Sequence, residues 1–485
     1  MPPHTNRQSV IPVVYVVLAL MTLMACSGSD GGGLMAGGGI GGTGISIGEI
    51  SGFGSVIVND VDFNTENAEV IVNGNSIGQG DSIVRSALAL GMVVQVEGKY
   101  RTDGTGNAVR IVFTSNLEGP VQSITPIGSI VKILSLMGQS VIVDDRTRFK
   151  NTTFDRIAVN NVLEVSGWPD AGGDIHATYV SKISDTLESG TEVMIKGIVT
   201  ETNIAQRSFR INQLMVDISE IIDPVPVVGQ LVTVKGILDD NGFLVATVLS
   251  IEDELGLDDA DSVEIEGIVL QVTSPSDFIV GTTAVQTDEA TSLKGLEPDD
   301  IVPGARLLVK GALTGRQLLA DEVIAKDKVN IEGQVLDVIE NQITLENQIT
   351  LKGLDDLVIR VSELTKIFGD ANGLDGIGSG QNVKVLGYAD TENKVEATQV
   401  KVKDNDKGKL KLQGPVTDID GSTVTILEVR VDTASIPDDG FETDTEGAVS
   451  RNEFLDRVAV GDTVSVNGNL VSDMAMWKEI QLEKE

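Results

Sequence analysis

Three places in this chain carry side chains whose types and spacing could do chemistry. The first is Cys26, the only cysteine, at the end of Leu23-Met24-Ala25-Cys26. With no second cysteine it cannot form an intrachain disulfide. A thiol directly behind an apolar run and a small residue is placed to become a lipid attachment point. The second is Glu442-x-Asp444-x-Glu446-Gly447 followed by Glu453, which sets oxygens at positions one, three and five, glycine at six and Glu at twelve of a calcium loop. Glu442 and Glu446 stand where Asp is usual, and the preceding Val424-Thr425-Ile426-Leu427-Glu428-Val429-Arg430-Val431 reads as strand rather than entering helix. The first reading of this segment is therefore a solvated acidic insertion, with calcium as its alternative cofactor. The third is His176, in Asp174-Ile175-His176-Ala177. Base, nucleophile and orienting group must share one cleft in a hydrolase, and neither a cysteine nor a serine is placed as its partner. The expectation is a non-enzyme, with a carboxylate- or lysine-based enzyme as the third reading.

The elements around Cys26 fix its context. Residues 1–9 are polar with Arg7 as the one charged side chain, and Val10 to Met24 is almost wholly apolar. Fifteen residues is short for a bilayer span of about 20 but suits the apolar region of an export signal. Residues 1–25 thus read as a lipoprotein signal peptide, and the junction at Cys26 resembles the lipobox of bacterial lipoproteins. The resemblance implies that Ser27, a non-aspartate after the cysteine, directs the protein to the outer membrane, with the body facing the periplasm or the surface. Residues 26–44, with Gly31-Gly32-Gly33 and Gly37-Gly38-Gly39, hold too many glycines to fold alone. They read as a tether reaching about 20–25 Å as a coil.

The formal net charge is −36, and loss of Arg7 with the signal makes it one unit more negative. Such an acidic excess opposes nucleic acid and anionic lipid faces, where basic patches supply affinity. It favours solubility, divalent cations or a basic partner.

The remainder repeats itself. Gly-x-x-Val/Leu-x-Val-x-Gly occurs at Gly91 to Gly98, Gly229 to Gly236, Gly304 to Gly311, Gly380 to Gly387 and Gly461 to Gly468, and Asn160 to Gly167 is a sixth copy led by Asn. Asn tolerates the left-handed backbone that a leading glycine would supply. Each copy reads as a strand of period two: Val94, Leu163, Val232, Leu307, Val383 and Val464 inward, Val96, Val165, Val234, Val309, Val385 and Val466 inward, and Gln95, Glu164, Thr233, Leu308, Lys384 and Ser465 between them facing water. The closing glycine is expected to start a turn.

Two further elements recur in phase. Upstream stand Gly48-Glu49-Ile50, Gly119-Pro120-Val121, Gly197-Ile198-Val199, Gly267-Ile268-Val269, Gly333-Gln334-Val335 and Gly414-Pro415-Val416, where a strand glycine allows a sharp bend at a barrel corner. Downstream stand Ala108 to Ile111, Ala177 to Val180, Ala246 to Leu249, Ala320 to Val323 and Ala397 to Val400, with Trp477 and Ile480 in the last copy. The reading is all-β: six tandem small β-barrel, OB-like repeats over 45–115, 116–184, 192–253, 263–326, 329–404 and 408–485. Glu252 to Asp261, dense in acid, is a self-repelling linker between the third and fourth. Phe454, Leu455 and Val458 in Ser450 to Val458 fit one short helix plugging a barrel end.

The run Ile50-Ser51-Gly52-Phe53-Gly54-Ser55-Val56-Ile57-Val58-Asn59-Asp60-Val61-Asp62-Phe63, followed by the Gly91 motif and then Leu117-Glu118-Gly119-Pro120-Val121, closely resembles the bacterial family called domain of unknown function 5666. The first two repeats match strongly and the other four more weakly. The resemblance implies an exported protein, often a lipoprotein, with tandem β-rich repeats. It brings no catalytic residues to carry over.

Glycan binding usually shows aromatic platforms, and aromatics make up 4% of this chain, with Trp168 and Trp477 its only tryptophans. Trp168, in Ser166-Gly167-Trp168-Pro169-Asp170, is read as a turn residue that packs locally. Basic grooves with stacked aromatics, the equipment of oligonucleotide-binding barrels, are missing from the sequence. The expectation is a non-enzymatic, lipid-anchored envelope protein whose repeats stack as an acidic rod for structure or protein interaction. Its partners are the membrane through Cys26 and an envelope protein or glycan. A calcium- or glycan-binding envelope module is the alternative.

Overall fold

The computed structural model describes residues 44–53, 55–101, 104–128, 130–252, 260–315, 317–340, 347–369, 373–390, 392–403, 408–443 and 447–483. Cys26 and the residues read as signal and tether, except Gly44, which opens the first strand, lie outside the described residues, as do Asp444, Glu446 and residues 253–259 of the segment read as an acidic linker. Residues Gly42–Glu485 form one compact unit.

Nearly every element is a strand, and six barrels follow one another along the chain. In the first, an opening strand (Gly44–Phe53) forms a hairpin with Val56–Val58, which forms another with Val61–Asn64. That third strand runs parallel to the closing strand, Thr105–Phe113. The closing strand pairs antiparallel with the fourth, Val93–Tyr100, which returns to the opening strand. Written as a ring the order is 1-2-3-5-4-1, a five-stranded Greek-key barrel of the OB type. The next four repeats close in the same order. In the sixth, the third strand (Val429–Asp432) pairs with the second alone among the described residues.

The Gly-x-x-Val-x-Val-x-Gly strand is the fourth strand of every barrel. All twelve of its inward Val and Leu positions are at most 2% exposed, and each such burial contributes about 1.5–3 kcal/mol. Its leading residue turns the chain in the left-handed region, with φ from 74° at Asn160 to 99° at Gly304. The turn is fastened to the opening strand by two hydrogen bonds. The N–H of Ile50, Val121, Val199, Val269, Val335 or Val416 donates to the carbonyl just after the leading residue, at 2.8–2.9 Å. The N–H of the leading residue itself donates back to that same residue's carbonyl at 2.8–3.0 Å.

The closing glycine does not start a turn, contrary to expectation. It lies inside the fourth strand, and a register shift immediately precedes Gly98, Gly167, Gly236, Gly311, Gly387 and Gly468. It faces Ala108, Ala177, Ala246, Ala320, Ala397 or Trp477 across the pair. A Cβ there would run into the carbonyl oxygen of the residue before that partner. The bulge bends the strand pair around the barrel.

Helices are short. Arg451–Arg457 (α2) forms where Phe454 and Val458 indicated, capped by Ser450 and driving the fully buried Phe454 edge-on against Phe441, ring centroids 5.8 Å apart. A second helix, Asp81–Ala87 (α1), was not anticipated; it occupies the same stretch of repeat 1 and buries only Val84.

The barrels join in pairs through their opening strands, and not in chain order. Repeat 1 pairs parallel with repeat 4, Gly44 to Ile47 against Ser262 to Ile265. Repeats 2 and 3 pair antiparallel through Leu117 and Glu118 against Ile195 and Met194. Repeats 5 and 6 pair antiparallel through Asn330 to Glu332 against Gln413 to Lys411. Cores fuse within the last two pairs. Ile45 of repeat 1 packs in the core of repeat 4, and Tyr179 of repeat 2 in that of repeat 1.

This pairing overturns the expectation that the residues between the inward positions face water. Leu308, Lys384 and Ser465 are at most 3% exposed, and Gln95, Glu164 and Thr233 are half-buried. The outer faces of the barrels are pressed against one another.

Candidate functional site

Polar residues from several repeats converge on a junction of about 500 Å³ between repeats 1, 2, 4 and 5. Three arginines organise it. Arg146, in the turn after the third strand of repeat 2, donates to Asp144 Oδ2 through Nε at 3.2 Å and Nη2 at 3.1 Å. Its Nη1 reaches Asp327, in the segment between repeats 4 and 5, at 3.4 Å. Its guanidinium lies 3.4 Å from the ring centroid of Tyr388 of repeat 5, a stacked cation–π geometry. Tyr388 in turn donates its hydroxyl to Asp144 at 3.2 Å. Arg306 of repeat 4 holds Glu266 of its own barrel at 2.6 Å and Glu49 of repeat 1 at 2.9 Å. Arg360 of repeat 5 holds Asp390 at 2.7 Å and Glu396 at 2.8 Å.

Burial and pairing pull these groups apart electrostatically. Burial alone would raise Asp144, but the charge and hydrogen bonds of Arg146 hold its carboxyl below the ordinary range. Glu396 goes the other way: burial, aided by the charges of Asp390 and Asp145, pushes it up to about 7 despite Arg360. Burial likewise raises Glu49 against the pull of Arg306. At the edge, His176 Nε2 stands 3.6 Å from Asp170 Oδ2. Against the effect of burial, the hydrogen bond and charge of His176 hold Asp170 low.

What this arrangement does is fasten barrels. Each arginine spends its planar donors on two carboxylates, and Arg146 and Arg306 reach carboxylates of other segments of the chain. A second buried cluster joins repeats 4, 5 and 6: Lys384 meets Asp300 at 2.5 Å and Glu332 at 3.6 Å, while Lys403 and Lys409 approach Glu332 at 3.1 and 3.3 Å. Beside repeat 3, Lys235 donates to the Asn73 carbonyl of repeat 1 at 2.7 Å, and the Asn73 amide donates to Glu118 of repeat 2 at 2.5 Å.

The residues singled out in sequence are dispersed. Glu442 sits on a three-residue strand, Phe441–Thr443, parallel to the closing strand of repeat 6. That strand forms a hairpin with Gly447–Ala448, so the acidic loop joins two strands and then enters a helix. The Glu453 carboxylate accepts from the backbone N–H and hydroxyl of Ser450, at 2.9 and 2.8 Å, in a capping box at the start of α2. Among the described residues, no group of three or more His, Cys, Asp or Glu side chains is placed to hold a metal ion. Trp168 is not in a turn: the strand continues to Pro169, and the ring, 7% exposed, is packed between repeats. Among the described residues the one ion-pair partner of His176 is Asp170, on its own hairpin.

The arginine clamps were not found by reading the sequence. Their partners lie on other repeats, and an Arg or Asp next to a turn is the ordinary composition of an exposed loop. The one departure in the sequence was Leu308, an apolar residue at the outward position of the fourth strand, which marks a covered outer face but not the arginines.

A tandem array of paired OB-like barrels, fastened at polar junctions, is the class that this architecture defines. The chain belongs to the family described as Domain of unknown function (DUF5666), whose model matches it six times, at residues 46–112, 118–181, 196–250, 266–324, 332–401 and 413–476. Among curated proteins none matches the chain.

Proposed function

We propose that this protein is a non-enzymatic component of the bacterial envelope, held at the outer membrane by lipid on Cys26 and acting as a structural or protein-interaction scaffold. The observation that supports it is the use made of the ionisable residues. The buried carboxylates at the junctions of the barrels are bound to arginine or lysine, often from another repeat. Groups so committed serve cohesion and are poorly placed to exchange protons with a substrate. Six small barrels welded in this way present a broad acidic surface, which suits a basic partner and limits self-association.

The test is fractionation of cells expressing the full chain and its Cys26→Ala variant. Wild type is expected with the outer membrane and the variant in the soluble fraction. Equal distribution of the two would sink the anchoring role. Activity on a small-molecule substrate that is lost when Glu396 or His176 is replaced would sink the non-enzymatic one.

A further inference from the structure

Where repeats 1 to 4 meet they enclose a second crevice, of about 290 Å³, with Trp168 and Asp170 standing between it and the charged junction. Its walls are mainly apolar and come from all four barrels: Ile47 from the first, Trp168 from the second, Ile198 and Leu231 from the third, Ile265 and Val280 from the fourth. Ile198, 40% exposed, forms the outer lip. Crevices between domains with apolar walls and few polar groups are where small molecules bind.

Two further facts bear on what would fit. The lining residues Trp168 and Thr283 each carry a buried polar atom, the indole Nε1 and the hydroxyl oxygen, with no hydrogen-bond partner. They are 7% and 2% exposed. Orphaned donors inside a fold are rare and unfavourable, so an acceptor brought to them is stabilised. The charged side chains at the rim, by contrast, are already engaged: Glu266 by Arg306 at 2.6 Å, Asp170 by His176 together with the backbone N–H groups of Gly172 and Asp174, and Lys196, which also has a partner. A charged ligand finds no free counter-ion among them, while an apolar body gains by leaving water.

We propose that this crevice binds a small uncharged amphiphile, an alkyl or aryl body carrying one hydroxyl or carbonyl oxygen. At about 30 Å³ per water-sized group, the space holds about ten non-hydrogen atoms. The body lies against the Trp168 ring and the aliphatic walls, and the oxygen is taken by the indole N–H or the Thr283 hydroxyl. Both atoms are out of contact with solvent, so the oxygen reaches them as Trp168 turns, and the emission of that ring reports the event. The site stands independently of the scaffold role and of the lipid on Cys26.

The test uses the compact unit Gly42–Glu485, which contains every hydrophobic core described above, with Trp477→Phe leaving Trp168 as the sole tryptophan. Three probes of one shape are compared: 2-phenylethanol, ethylbenzene, which lacks the oxygen, and phenylacetate, which is charged. 2-Phenylethanol is expected to shift Trp168 emission saturably and to raise the melting temperature of the unsubstituted unit. Ethylbenzene is expected to bind about tenfold more weakly, the worth of one neutral hydrogen bond, and phenylacetate not at all. Ile198→Phe, at the exposed lip, is expected to abolish the shift without altering the melting temperature measured in the absence of probe. No saturable shift at millimolar probe, or a shift that survives Ile198→Phe, would overturn the site. Equal binding of all three probes would overturn the ligand class.

Discussion

Replacing Lys384 by Met tests whether the buried ion pairs hold the barrels together. Met keeps the length of an unbranched side chain and removes the charge. The Lys384 side chain is 2% exposed, and its ammonium lies 2.5 Å from Asp300 and 3.6 Å from Glu332, each 4% exposed. A third partner, Glu297 at 3.7 Å, is exposed; the two buried carboxylates fare differently. Glu332 keeps Lys403 at 3.1 Å and Lys409 at 3.3 Å. Among the described residues Asp300 keeps only the Glu297 N–H, at 2.8 Å, which it accepts as cap of the turn Pro298–Asp300. Removing one member of a buried pair costs about 3–5 kcal/mol, because the other charge is left without a partner. Only one of the two carboxylates is stranded, so the expected loss is about 3 kcal/mol. The assay is native-state hydrogen exchange of the amides in Asn382–Ala389, the fourth strand of repeat 5, which reads the free energy of local opening without requiring one cooperative transition. Asp300→Asn in the Lys384→Met background removes the stranded charge and is expected to recover about 2 kcal/mol. A loss below about 1 kcal/mol, the value of an exposed pair, or no recovery in the double variant, would refute the reasoning.

Other consequences follow from the repeat itself and from its carboxylates. Gly387→Ala sets a methyl against the Glu396 carbonyl oxygen, and as backbone cannot swing aside the expected loss of thermal stability is about 1–3 kcal/mol; an unchanged melting temperature would contradict the bulge assignment. Gly229 has φ 91° and open space around its Cβ direction, so Gly229→Asn should retain more stability than Gly229→Val, since Asn160 already fills that place in repeat 2. Burial and the charge of Glu118 push Glu164 up to about 7 from 4.5, so its contribution is full below about pH 4.5 and is lost as pH rises through 7, an effect of at most about 3 kcal/mol before solvent screening. Glu164→Gln should therefore flatten the stability profile across that interval, and an unaltered profile would count against it. Glu453→Gln should lower stability only slightly, since Gln also serves in a capping box, and equally in millimolar calcium and in excess chelator; a calcium-dependent loss would instead make the acidic loop a ligand site.

The period-two pattern of the fourth strand was legible because burial inside a barrel is a local property: Val94 and Val96 are inward for the same reason as Val464 and Val466. Asn160 was legible too, since the left-handed region restricts residue type wherever it occurs. The closing glycine was misread because a bulge and a turn both call for glycine, and the deciding contact, a carbonyl oxygen on the neighbouring strand, is not adjacent in sequence. Lys384 was misread for a related reason. Polarity at an outward position signals water unless a partner barrel lies there, and nothing within one repeat says which barrel that is. Trp168 showed the same limit: it is 7% exposed and lines crevices whose other walls come from different repeats.

The order of pairing has a consequence for how such a chain can be made and how it can change. Repeats 2 and 3 find each other across a short stretch, but Ser46 waits for Glu264, 218 positions later. During synthesis the opening strand of repeat 1 therefore presents a bare edge until repeat 4 has emerged, a hazard for association with other chains. Slow closure of so distant a contact makes a factor that shields the incomplete chain advantageous. The same nesting constrains inheritance. Inserting one barrel would leave an opening strand without a mate, whereas inserting two adds a self-sufficient pair, so the number of units in such an array is free to change only by even steps.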